Sequence, residues 1–493
     1  MYSARSHLRL PESPHPEFQQ MLMSNPAELT EMLRIDSTAD RTIESWIADC
    51  RAITMEDPDR GVTASARLIE LAESAASRRL IARALSAHCH ALSYAGKMKQ
   101  AIAIAERAIE SAEVSGDNIA LAEACMTAVQ SHNVLGLREE ALSLASRAGE
   151  IFKAEGDNDR SATAIMLAGV VLRMLDRPDE AIERYDLAFA TVGQNPSLRA
   201  QLASNKAEAL LDLGRFSEAK SAFESALQGF RSCNQAFGEA IVEGNLADLA
   251  SRRGLLREAL TLFLDASSKF RAANDEAEAA RLEAEAAELF LAIGDHREAL
   301  YRLPQAIQTL RQAGMQTELA RALAAQGIAL GRVGELDAAL QRLEESEQLN
   351  QSHGQQQAVI RARALRGSLL LSAGRATEAA EIFRATLESQ PLDPTRARLL
   401  IDHAKAYASI GKLDTARESH ADASELAERL GLEDVDAPLF AVSSTIARLS
   451  GDMFAARQLF DRAIDAVERR RGAFTGDRLR AAASGGAHQV YEE

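Results

Sequence analysis

The 493-residue sequence carries a single Trp and only 4% aromatics, so it offers few rings on which bases could stack. Basic side chains are also in the minority, 56 against 72 acidic, and a formal net charge of -16 repels a phosphate backbone. Nucleic-acid binding by the chain as a whole is thereby excluded. No apolar run reaches the ~18 residues a membrane helix requires; the best, 162–172, is stopped by Arg173. Four cysteines, Cys50, Cys89, Cys125 and Cys233, form no CxxC pair, which removes a disulfide framework and a zinc finger and suits a reducing compartment. Residues 1–20 lack the apolar core of a secretory signal, and Pro11, Pro14 and Pro16 read as an extended, disordered tail. A cytoplasmic protein is expected. The sequence also lacks HExxH, GxxxxGK[ST], GxSxG and GxGxxG, so neither an enzyme nor a cofactor or metal is expected.

What the chain does have is self-similarity. A glycine followed five residues later by alanine recurs at Gly96/Ala101, Gly136/Ala141, Gly214/Ala219, Gly254/Ala259, Gly294/Ala299, Gly334/Ala339, Gly374/Ala379, Gly411/Ala416 and Gly451/Ala456. Asp176/Ala181 fills the one gap, and the spacing is 40 residues with excursions to 37 and 38. A second mark falls about twenty residues after each: Gly116, Gly156, Pro196, Asn234, Asn274, Gly314, Gly354, Pro394 and Gly431. Gly and Asn accept the left-handed backbone of a helix C-terminus, and Pro stops a helix from continuing. Each period therefore holds two helices, built from Ala, Leu, Glu, Arg and Gln with apolar residues three and four apart.

The pattern of Ala, an aromatic four further on and Ala three beyond that resembles the tetratricopeptide repeat. It stands at Ala219, Phe223 and Ala226, at Ala259, Phe263 and Ala266, and at Ala456, Phe460 and Ala463. Seven residues before eight of the turn marks the chain has a small residue, Gly169, Ala207, Ala247, Ala287, Gly327, Gly367, Ala404 and Ser444, where two helix axes must come within ~8–10 Å. The period of 40 places the resemblance with the longer-helix variety of that family. It implies an all-α, right-handed superhelical solenoid of about ten helix pairs over 80–471, with capping helices in 21–79 and a tail over 472–493. A helix over Met21 to Leu33 and a degenerate pair, Glu44 to Ile53 with Ala64 to Ala76, are expected to cap the start, Trp46 lying in the first member of that pair.

His88-Cys89-His90 is the one segment with metal-ligand residue types. Residues two apart on a helix point roughly 200° from each other, so the two histidines cannot grip one ion. The expected arrangement is a buried cysteine between solvated histidines.

In the resembling family, residues thirteen before the turn glycine face the superhelix groove. Here four consecutive repeats place Arg281, Arg321, Arg361 and Arg398 there, and Arg252 and Arg332, two before their glycines, are candidates for the same channel. Such a ladder binds carboxylates or phosphorylated side chains, hence an acidic protein or peptide partner. The other reading is that these arginines pair with Glu283, Glu285 or Glu318 on their own helices. Asn205 and Asn245, nine before Gly214 and Gly254, match the groove asparagines of peptide-binding members. An amide that both donates and accepts can hold an extended backbone. The Lys and Asn set that clamps a C-terminal carboxylate in co-chaperone members is not matched, since Glu208, Asp248 and Glu288 stand there.

After the last pair the blocks GDRLRAA (476–482) and VYEE (490–493) resemble the segment joining such repeats to a caspase-like CHAT protease domain. The expectation is a non-catalytic scaffold that binds a protein or peptide partner. The alternative is the regulatory or sensor arm of a CHAT-type protease or of a transcriptional regulator.

Overall fold

The computed structural model describes residues 39–74, 77–388 and 394–473. These fold entirely as helices, with no strand among the described residues. The described residues divide into two compact units between Asn245 and Leu246. The first holds α1 (Ala39–Glu56), α2 (Pro58–Ser74), α3 (Arg78–Tyr94), α4 (Met98–Ser115), α5 (Asn118–Val134), α6 (Arg138–Ala154), α7 (Asn158–Met174), α8 (Pro178–Thr191), α9 (Pro196–Asp212) and α10 (Phe216–Ser232). The boundary lies inside α11 (Ala236–Arg252). The second unit continues with α12 (Leu256–Ala272), α13 (Glu276–Ala292), α14 (His296–Gln312), α15 (Gln316–Arg332), α16 (Leu336–Ser352), α17 (Gln356–Ser372), α18 (Ala376–Leu387), α19 (Pro394–Ser409), α20 (Leu413–Leu430), α21 (Asp436–Leu449) and α22 (Met453–Ala473). Within each unit, sequence-adjacent helices pack as antiparallel pairs and each pair stacks on the next.

The turn marks act through backbone geometry. All the turn glycines, Gly96 to Gly451, have positive φ, and so do Asp176 (59°), Asn234 (53°) and Asn274 (60°). The residue after the mark donates its N–H back to a carbonyl of the helix's last turn, as in Lys97 to Leu92 (2.9 Å), Arg177 to Leu172 (3.0 Å) and Arg375 to Leu370 (2.8 Å). This is the 6→1 closure of a Schellman turn, which needs a left-handed residue at its corner. Asp176 supplies that corner with a Cβ and therefore with strain. Asp176→Gly is expected to raise stability by about 0.5–1 kcal/mol, seen as a higher midpoint in denaturant; a lowered midpoint would contradict it.

Pro196 and Pro394 differ from expectation. Each is the first residue of a helix, α9 and α19, where its missing N–H would have had no intrahelical partner anyway. Asn195 caps α9, its side chain accepting from the Leu198 N–H at 3.1 Å, and α8 has already ended at Thr191. Aspartates start several other helices in the same way, Asp117, Asp157, Asp275 and Asp295 each accepting from an N–H three residues on.

The small residues do what helix contact requires. A Cβ at Gly169 would sit 2.5 Å from the Tyr185 ring, at Gly367 2.6 Å from Phe383, and at Gly327 2.7 Å from Leu343. The alanines five after the turn are buried in every repeat, and Tyr185, Phe223 and Phe383 are wholly buried. Helix pairs thus meet with an aromatic of one helix lying on a hole in the other.

At the start, α1 and α2 run longer than expected and join through Asp57 alone. Trp46 is buried with Ile47, Cys50, Leu68 and Leu71 against Leu80 of α3, so this pair covers the first repeat. The expected helix at 21–33, residues 75–76 of the expected cap, and both tails, 1–20 and 474–493 with the CHAT-like blocks, lie outside the described residues.

Candidate functional site

The first helix of each pair carries a stripe at positions thirteen, nine, six and two before the turn. That spacing of four, three and four keeps one face of the helix. All eight candidate residues stand on this stripe.

In the first unit the stripe is organised around Arg173, near the end of α7. Its guanidinium donates to Glu208 at 2.5 Å and to Asp212 at 2.8 Å, both on α9. The Asn245 amide donates to the other Glu208 oxygen at 3.1 Å. Burial works against the Arg173 charge, but the two carboxylates outweigh it and hold its pKa above the ordinary value. Asn245 is thus spent on a structural network. Asn205, one turn before Glu208, is half-buried and makes no hydrogen bond among the described residues. The residues at the same positions of α7, Leu167, Val170 and Met174, are apolar and only partly covered or exposed.

In the second unit most of the arginine ladder is paired. Arg252 donates to Asp248 at 3.0 Å. Arg281 bridges Glu278 at 2.7 Å and Glu285 at 3.0 Å along its own helix. Arg321 reaches back one repeat to Glu288 at 2.9 Å and Glu285 at 3.6 Å. Arg398 holds Asp434 at 2.6 Å. Burial pushes the Glu285 carboxyl upward, while Arg281 and Arg321 pull it back. Of the expected intrahelical partners, Glu285 is used; Glu283 instead binds Arg302 at 2.8 Å. Arg332 and Arg361 are exposed and form no ion pair among the described residues. Asp402, nine before Gly411, is a half-buried carboxyl pushed up to about 6 by burial, with Lys405 opposing.

The Arg173 cluster was not visible as a site in the sequence. Its signal is positional: Arg173 stands three before its turn, and Glu208 and Asp212 lie 35 and 39 residues on, one repeat away.

The histidines of the 88–90 segment are half-buried, not solvated. His88 Nδ1 is 2.9 Å from the Ser65 hydroxyl, and His90 stacks on Tyr94 with ring centroids 4.6 Å apart. Helix packing from α1 and α2 covers this end of α3, and burial depresses the His90 pKa to about 4. Cys89 is fully buried and its thiol is pushed up to about 11 by burial, which leaves it unreactive. Among the described residues no group of His, Cys, Asp or Glu is placed to hold a metal ion, and no helix is long and apolar enough to cross a membrane.

A family model described as tetratricopeptide repeat matches residues 200–228, which run from α9 through Gly214 to Phe223 and Ala226. The apo form of RapI is similar in fold, with a TM-score of 0.56 and 12% identity over 72% of this chain and 99% of that one. The repeat over 200–228 is a tetratricopeptide repeat. A signal transduction ATPase with numerous domains from Pyrococcus horikoshii, described as having a tetratricopeptide repeat sensor, has a TM-score of 0.51 and 13% identity over 69% of this chain. The chain spans about half of that larger protein, 55% of it. No curated protein matches the sequence significantly. Tetratricopeptide repeats form extended surfaces for other proteins.

Proposed function

We propose that the tetratricopeptide array is a non-catalytic scaffold whose stripe captures an acidic segment of a protein partner. The observation that carries this reading is the division of labour on the stripe. Among the described residues, Arg252, Arg281, Arg321 and Arg398 of the second unit and Asn245 of the first are spent on internal pairs, whereas exposed Arg332 and Arg361 of the second unit form no ion pair and half-buried Asn205 of the first makes no hydrogen bond. A partner carboxylate or phosphate meeting Arg332 or Arg361 displaces only water and no intramolecular ion pair, so its full charge-assisted hydrogen bond counts toward affinity. The Asn205 amide is suited to a partner backbone beside the apolar patch of Leu167 and Val170. Three buried free cysteines, Cys50, Cys89 and Cys125, suit the cytoplasmic setting in which we place it.

The test compares proteins captured by the full chain with those captured by Arg332→Glu/Arg361→Glu, using quantitative mass spectrometry. Both residues are exposed, so the fold is expected to survive. The specific partners should fall at least tenfold with the double variant and stay unchanged with Arg384→Glu, which lies on a second helix away from the stripe. An unchanged partner set in the double variant would overturn the reading.

A further inference from the structure

The tenth repeat breaks a rule that the other nine obey. The third residue after the turn is the second residue of the second helix of each pair and is exposed in all ten repeats. It is polar or charged in nine: Lys99, Glu139, Asp179, Ser217, Arg257, Arg297, Asp337, Thr377 and Asp414. In the tenth it is Phe454, 75% exposed, with Met453 beside it 64% exposed and Leu449 across the turn 45% exposed. The helix pair needs nothing apolar here, since nine pairs fold with water on this position. An exposed aromatic with two large apolar neighbours is the composition of an interface centre.

We propose that this patch is the contact of a homodimer, in which the turn between α21 and α22 docks on the same turn of a second copy. The charges around the patch select that occupant. Arg448 and Arg457 are exposed and form no ion pair among the described residues, while exposed Asp452 and Asp461 stand on the same turn and helix. A rim with both signs around an apolar centre is complementary to itself under a two-fold axis. An axis through Phe454 sets the two α22 helices antiparallel, so that position 457, three after Phe454, lies opposite position 451 of the other copy, three before it. Asp452, next to position 451, then lies within reach of Arg457 of the second chain on both sides of the axis. The centre is small, three side chains per copy, so the dimer is of the weak, concentration-dependent kind.

Sedimentation velocity of the full chain over a concentration series tests this. The wild type should shift from monomer to dimer as concentration rises. Phe454→Asp should raise the dimer dissociation constant at least tenfold, because it replaces the apolar centre with two carboxylates that must be desolvated facing each other across the axis. Arg457→Asp should weaken it in the same direction by removing the cross-axis attraction. All substituted side chains are exposed, and an unchanged circular-dichroism melt at low concentration confirms that each variant folds. A wild type that stays monomeric up to its solubility limit, or a dimer indifferent to Phe454→Asp, overturns the proposal. Capture of partners by the Arg332/Arg361 stripe is a separate readout that neither outcome moves.

Discussion

Phe383→Ala is expected to destabilise the second unit by about 3–5 kcal/mol, the loss typical of a large aromatic removed from a core that cannot collapse. Phe383 is wholly buried and lies over Gly367, which has no side chain with which to fill the space vacated. Its ring is part of the apolar cluster that runs from Ile360 and Leu370 of α17 through Leu400 and Ala404 of α19. The loss is local before it is global, because a helix pair in a linear array touches only its neighbours. Hydrogen exchange should therefore show protection falling most in α17, α18 and α19 and least in α12 and α13 at the other end of the unit. Equal loss along the unit would show that it unfolds as one block, and a change under about 1 kcal/mol would show that the hole at Gly367 relaxes.

That local logic is also why so much of the fold is legible in the sequence. A left-handed corner admits few residues, so the glycines and Asn234 and Asn274 mark helix ends directly, and even Asp176 is recognisable by its period. The small residue seven before the turn is readable for the same reason, since a Cβ at Gly169 would fall inside the Tyr185 ring's contact distance. Proline is ambiguous in sequence: it ends a helix, and it also fits the first helical position, which is where Pro196 and Pro394 stand. The site is less legible because its chemistry depends on register between repeats. Arg281 and Glu285, four apart on one helix, are a pair any helix makes. Arg321 with Glu288 is 33 residues apart, and Arg173 with Glu208 is 35. Those pairings follow from how one helix pair sits on the next, which periodicity alone does not give. The covering of His88 is lost for the same reason, as its ring meets Ser65 of the capping helix α2.

Glu208→Ala is expected to destabilise the first unit by about 2–3 kcal/mol, even though the position faces the stripe and not the core. Arg173 and Glu208 keep only 20% and 13% of their side-chain surface in water, so neither charge is well solvated alone. Removing Glu208 leaves Arg173 with Asp212, itself 36% exposed, and takes the acceptor from the Asn245 amide. The effect shrinks if the whole pair is replaced. Arg173→Met/Glu208→Leu removes both charges together with their desolvation, so it should recover most of the loss and lie well above the sum of the single variants. A double-mutant cycle in urea measures this. Additive single and double effects would mean that the pair is solvent-screened and that Arg173 is as free as Arg361. A coupling above about 1 kcal/mol would instead place Arg173 among the residues that hold neighbouring repeats in register, and leave the accessible arginines of the stripe as the ones a partner can use.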